Sequence, residues 1–301
     1  MDDKSVIEII NLFSIGLASH NMKTTVPSNI PVSNNFIPRE HLKTQSNLER
    51  VERWAKEKQM KLNVKKTKNI CFNFTKDKQF STDIKLNNET IETVSETKLL
   101  GTIITNDLKW NKNTNNIVKE TNKRMQLLHK ASRFTSNVSD LKQIYMLQIR
   151  SKLDQSAVVW HSSLTNKNRV DLERVQKSAV KCILGKRYTS YSLGLKSLRL
   201  QSLEERREAM CLKFAKQSLK IDKFSKLFPR KGNVHGMSKR KSDTYVLVNP
   251  RTTRYQFSVI PAMQRMLNKD EEKKKQVLKQ ISCLVPVNHS LFDSITAIIK
   301  T

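Results

Sequence analysis

The sequence predicts an α+β fold, and three observations point to it. Residues 68–105 place apolar side chains at a period of two, the spacing of half-buried strands. From about residue 111 the period lengthens to that of amphipathic helices. Only six Gly and seven Pro punctuate 301 residues, too few for the tight turns of a β-sandwich. The expected architecture is a small antiparallel sheet with one or two helices over 1–108 and a mainly helical bundle over 109–228. A loose, basic, partly disordered region is expected over 229–301.

The chain opens on Asp2-Asp3 and an apolar run from Val6 to Leu17. Residues 21–47, with three Pro and many Asn, Ser and Thr, read as a long loop. A helix is expected from about Leu48 to Met60, with Leu48, Val51, Trp54 and Ala55 on one face. Ile70, Phe72 and Phe74 then alternate as a strand, and DIKLN and TIETV flank Asn87-Asn88-Glu89 as a hairpin, since Asn tolerates positive φ. Residues 97–105 read as one further, mostly buried strand, giving three or four antiparallel strands in all.

The helical half follows. Ile117, Thr121, Met125, Leu128 and Ser132 share one side of a helix, and Lys112, Lys119, Lys123, Lys130 and Arg133 share the opposite side, with no acid interleaved. A second helix is expected over 139–160, through Leu141, Ile144, Tyr145, Gln148, Ile149 and Leu153. A third, over 167–184, buries Leu172, Val175, Ala179 and Cys182 and turns Arg174, Lys177 and Lys181 outward, with Gly185 as its stop. Ser202 and Glu205 have capping-box spacing at the start of a fourth helix running to about Lys220. Beyond Pro229 the chain loosens into basic loops and a charge run over 269–280. Residues 237–245 read as a solvated basic loop, with a nuclear-localisation patch as the alternative.

Charge narrows the function. The formal net charge is +29, of which residues 1–60 carry +1 and the remainder +28. Such asymmetry predicts a polyanionic partner for the last four-fifths of the chain, nucleic acid being the commonest inside a cell. A basic protein with merely solvated lysines is the bland alternative. Five like charges on one helix face would repel without an anionic partner, which favours phosphate contact. Four scattered Cys are too few for a disulfide framework or a zinc site. The start of the chain lacks a signal-peptide pattern and no apolar run is long enough to span a bilayer. A membrane partner is therefore not expected, and an intracellular, cytoplasmic or nuclear location is. Trp54, Trp110 and Trp160 read as core anchors, and His129 and His161 lack partners at metal-ligand spacing.

Seven segments in order resemble one family. MDDKSVIEII is similar to the tail of a Y/F-x-D-D catalytic hairpin with its returning strand, and LERVERWAKEKQMKLNVKKTK to a helix ending in W…LN..KT. ETKLLGTIITNDLKW is similar to a primer-grip strand followed by L-x-W. IYMLQIRSKLDQSAVVWHSSL, LERVQKSAVKCILG and SLEERREAMCLKFAK are similar to thumb and post-thumb helices, and TTRYQFSVIPAMQRMLN to a segment that closes such reading frames. Together they resemble the second half of the reverse transcriptase of non-LTR (LINE-like, jockey-type) retrotransposons, over nearly all of residues 1–268.

The resemblance implies a palm-like sheet, a thumb-like bundle, Mg²⁺ as cofactor, and an RNA template with a DNA primer as partners. It implies that Asp2 and Asp3 bind the metal ions, that Lys66 sits near the incoming triphosphate, and that Leu100 and Gly101 hold the primer end. Lys4 departs from the small or apolar residue usual after the acid pair, and the aromatic two before Asp2 is absent. The upstream catalytic Asp and the fingers are also unmatched. The expectation is a truncated RNA-directed DNA polymerase, inactive alone and completed by an N-terminal polymerase half, or else a non-catalytic nucleic-acid-binding remnant. A structural interaction protein with incidental charge is the third class.

Overall fold

A computed structural model describes residues 39–72, 83–233, 244–247, 249–250 and 252–284. Asp2 and Asp3, the apolar run from Val6, Phe74 and most of the 237–245 loop lie outside them. The described chain is mostly helical with a few short strands, an α+β fold, and it divides into two compact units at Lys109/Trp110.

In the first unit, helix α1 spans Arg39–Glu57 and so begins well before Leu48. Within that added stretch Gln45 makes a polar tertiary tie, which leaves no trace in apolar periodicity. The Gln45 amide donates to the Lys85 carbonyl at 3.1 Å and accepts from the Lys85 N–H at 3.0 Å, and Glu52 accepts from the Asn87 N–H. These bonds dock α1 on a hairpin of β1 (Lys85–Leu86) and β2 (Glu89–Thr90). Asn87 and Asn88 form its turn with φ of 51° and 65°, as their tolerance of the left-handed region predicts. Ile84, Leu86 and Ile91 make a small core with Leu48, Leu62 and Val64. Trp54, expected as an anchor, is 37% exposed, and Ala55 is buried in its place.

The strand expected over 97–105 is instead a second hairpin, β3 (Glu96–Leu99) and β4 (Thr102–Thr105). The chain reverses at Leu100-Gly101, both at positive φ (47° and 81°). Gly adopts that conformation at no steric cost and Leu does not, which is why an apolar run through Leu100 reads as continuous strand. The two hairpins form separate two-stranded sheets rather than one of three or four strands. Among the described residues around Ile70, pairing is limited to a bridge between Asn69 and Thr93.

The second unit begins with α2 (Asn111–Phe134), whose buried face of Ile117, Thr121, Met125 and Leu128 is the one the periodicity predicts. The helix expected over 139–160 is broken. It runs as α3 (Val138–Ile144), a π-helical turn (Tyr145–Arg150) and α4 (Ser151–Leu153), then stops where Ser156 adopts φ 53°, and resumes as α5 (Ala157–Trp160). Buried Asp154 sits in that break, its Oδ2 accepting from Arg206 Nε at 2.6 Å. Trp160 is fully buried, its indole donating to the Gln155 carbonyl at 3.0 Å.

Helix α6 (Asn166–Leu184) is capped by the Thr165 hydroxyl and ends at Gly185 with φ 52°, as predicted. A short helix not foreseen, α7 (Tyr191–Ser197), packs on it through Gly194. Helix α8 (Leu203–Ser218) carries the expected capping box of Ser202 and Glu205. After the short α9 (Asp222–Ser225) and α10 (Thr253–Gln256), α11 runs from Val259 to Leu284.

The loosening expected beyond Pro229 is thus not what residues 252–284 do. Met263 and Leu267 join Ala215, Phe228 and Tyr245 in a second core, and Lys216 of α8 bonds Asp270 at 2.8 Å. The charge run from 269 is the continuation of this helix, mostly solvent-facing. Its charges hide a helix whose buried residues lie one or two turns earlier.

Candidate nucleic-acid interface

Helices α2 and α6 lie side by side and parallel. At their starts Asn168 donates to Asn111 Oδ1 at 2.8 Å, and at their ends Cys182 Sγ lies 3.3 Å from His129 Nδ1. A directional polar chain fixes α6 from behind. The buried Tyr145 hydroxyl donates to Gln176 Oε1, the Gln176 amide donates to Tyr191 Oη at 2.9 Å, and Tyr191 donates to Glu173. Glu173 also accepts from the Leu203 N–H at 3.2 Å, and the second Gln176 N–H goes to the Gln201 carbonyl at 3.0 Å. Every polar atom of the Gln176 side chain is satisfied, so the network orders α6 instead of leaving a desolvation cost. Burial pushes both phenols up, so they stay neutral donors.

Between the two helices runs an open groove of about 640 Å³. Helix α2 contributes Lys119 and Lys123 with the amides of Asn115, Asn122 and Gln126, while α6 contributes Arg174, Asp171 and Ser178. Val118 and Val175 line it with apolar surface. Two of the three cations are held by exposed pairs one turn apart. Lys123 reaches Glu120 at 3.7 Å and Arg174 reaches Asp171 at 2.9 Å. Glu120 corrects the expectation of an acid-free face. Exposed pairs of this kind contribute little, so both cations are available to a phosphate.

The sequence-predicted residues fall into three groups. Lys119, Lys123 and Arg174 meet in the groove. Lys112, Lys130, Arg133, Lys177 and Lys181 are exposed on the same two helices beyond its lining, with Lys130, Arg133 and Lys181 near the paired C-terminal ends. Lys66, Leu100 and Gly101 belong to the first unit. Lys66 is exposed in a 3-10 turn capped by Asn63, and Leu100 and Gly101 form the β3–β4 turn. The groove amides do not stand out in the sequence, because uncharged polar side chains at helical spacing look like any solvated face. Their only signal is Asn115 and Asn122 seven residues apart, beside the lysines.

His129 meets Cys182 across the two helices, a pairing 53 residues apart that sequence spacing could not reveal. His161 is buried beside Trp160, where burial, then the Arg169 and Arg207 charges, hold its imidazole down at about 4. Arg207 is also buried, stacked 5.2 Å over the Trp160 ring, and burial lowers its pKa. Among the described residues no group of three or more His, Cys, Asp or Glu converges on a point where a metal ion could sit. Asp2 and Asp3, to which the resemblance ties Mg²⁺, lie outside the described residues. No described helix is long and apolar enough to cross a membrane.

Comparison with protein-family models, with curated proteins and with solved structures finds no match to this chain.

Proposed function

We propose that the second unit binds nucleic acid along the α2–α6 groove, and that the chain is the template-primer-holding part of a retrotransposon-type reverse transcriptase. The observation that carries the binding is that cations from helices some 50 residues apart in sequence line one open groove, flanked by amides that can bond phosphate oxygens. The first unit then stands for the end of the palm, the second for the thumb, and the partners are an RNA template and a DNA primer. This identity rests on the ordered motifs of the sequence. In it Asp2 and Asp3 hold Mg²⁺, Lys66 faces the triphosphate, and Leu100 and Gly101 hold the primer end.

The binding test is titration of the full chain with an RNA/DNA duplex across about 50–200 mM salt. If some six basic groups engage phosphates, log K falls with log salt at a slope near −5, the value for duplex DNA serving as guide. A flat dependence would overturn the proposal. Mg²⁺-dependent primer extension tests the polymerase identity. We expect none from this chain alone, since the upstream acid and the fingers are unmatched and positioning supplies most of the rate. Extension that vanishes in Asp2→Ala would instead make it a working polymerase.

A further inference from the structure

Helix α2 ends in Phe134, which is 91% exposed. A single exposed apolar residue is ordinary, but this one stands in unusual company. Stepping back along the helix, Lys130, Leu127 and Lys123 precede it at intervals that keep all four on one stripe, and Leu127 is itself half exposed. Arg133 is its immediate neighbour and is exposed too. A cationic stripe that terminates in a solvent-facing aromatic is the combination that holds a strand by its backbone and stacks one base.

We propose that Phe134 is a stacking platform for an unpaired base. The ligand class is therefore nucleic acid with a single-stranded segment adjoining the part gripped by α2, rather than blunt duplex. This rests on the reading of the basic α2 face as a phosphate contact.

The test compares the full chain, Phe134→Ala and Phe134→Trp on two probes: a blunt RNA/DNA duplex, and the same duplex with a single-stranded extension carrying 2-aminopurine. Phe134→Ala is expected to weaken the tailed probe by about 5- to 150-fold, the range for loss of one base–aromatic stack, and to leave the blunt probe within about twofold. Phe134→Trp keeps the affinity, and wild type and Phe134→Trp quench 2-aminopurine where Phe134→Ala does not. Equal loss on both probes, or no loss on either, overturns the inference. So does concentration-dependent self-association that Phe134→Ala abolishes while tailed-probe affinity holds, which would make Phe134 a contact between copies. Steep salt dependence on both probes with an indifferent Phe134→Ala sinks the stacking site alone, whereas salt-independent binding by wild type sinks the basic face with it.

Discussion

His161 and Leu100 are the two residues whose local physics makes the sharpest demands. The folded chain holds His161 neutral down to about pH 4, whereas an unfolded imidazole titrates near 6.5. Between those values the unfolded chain binds more protons, so stability rises with pH through the window and is lost as pH falls from 6.5 towards 4. The shift corresponds to roughly 3 kcal/mol. Denaturant titrations at pH 7 and pH 4.5 should show this loss in wild type, and His161→Leu should remove about that much of the difference. An unchanged difference would mean the imidazole is not held neutral.

Leu100 sits at φ 47° in the β3–β4 turn, where a branched side chain crowds the following carbonyl. Leu100→Asn, which creates the Asn-Gly pair such turns favour, should raise stability by about 1 kcal/mol. The same variant speaks to the primer-holding role, because a turn residue can be replaced without loss of nucleic-acid affinity and a primer contact cannot.

At the scale of elements, the sequence is most legible where local chemistry settles the structure. The Asn87-Asn88 turn, the Ser202–Glu205 capping box and the Gly185 stop were all readable because each rests on residues within one turn of one another. Elements that depend on distant partners were not. The early part of α1 is tied to Lys85 through Gln45, and the break after α4 forms around Asp154, whose carboxylate partners lie on α8. Helix α7 belongs with these, since it exists by virtue of its fit on α6.

That fit makes a prediction. A Cβ on Gly194 would lie 2.7 Å from Val180 Cγ1 and 3.2 Å from Leu184 Cδ1. Alanine gains about 0.5–1 kcal/mol over glycine as a helix former. Overpacking against two branched side chains costs about 1–3 kcal/mol, so the clash wins. Gly194→Ala should destabilise the chain by about 1 kcal/mol in thermal unfolding. Adding Val180→Ala should recover part of that, and additive losses would show that α7 docks elsewhere.

Across the whole molecule, charge was legible and its arrangement only partly so. The stripe on α2 and the outward cations of α6 could be read from periodicity, and the structure exposes every one of them. That they share a groove could not, because it follows from the parallel pairing of two helices joined through α3–α5, fixed by contacts such as Asn111–Asn168 and by the buried Tyr145–Gln176–Tyr191 chain. The acid pair on which the polymerase reading turns lies outside the described residues, so binding by the second unit is the central claim.

The most direct measurement of that claim is the salt dependence of RNA/DNA-duplex binding by the full chain, beside the triple variant Lys119→Ala/Lys123→Ala/Arg174→Ala. If the α2–α6 groove holds the backbone, the wild-type slope is near −5 and the variant's is shallower by about three, one unit for each phosphate contact removed. If the two slopes coincide, the groove does not hold nucleic acid, and the +29 charge serves something else.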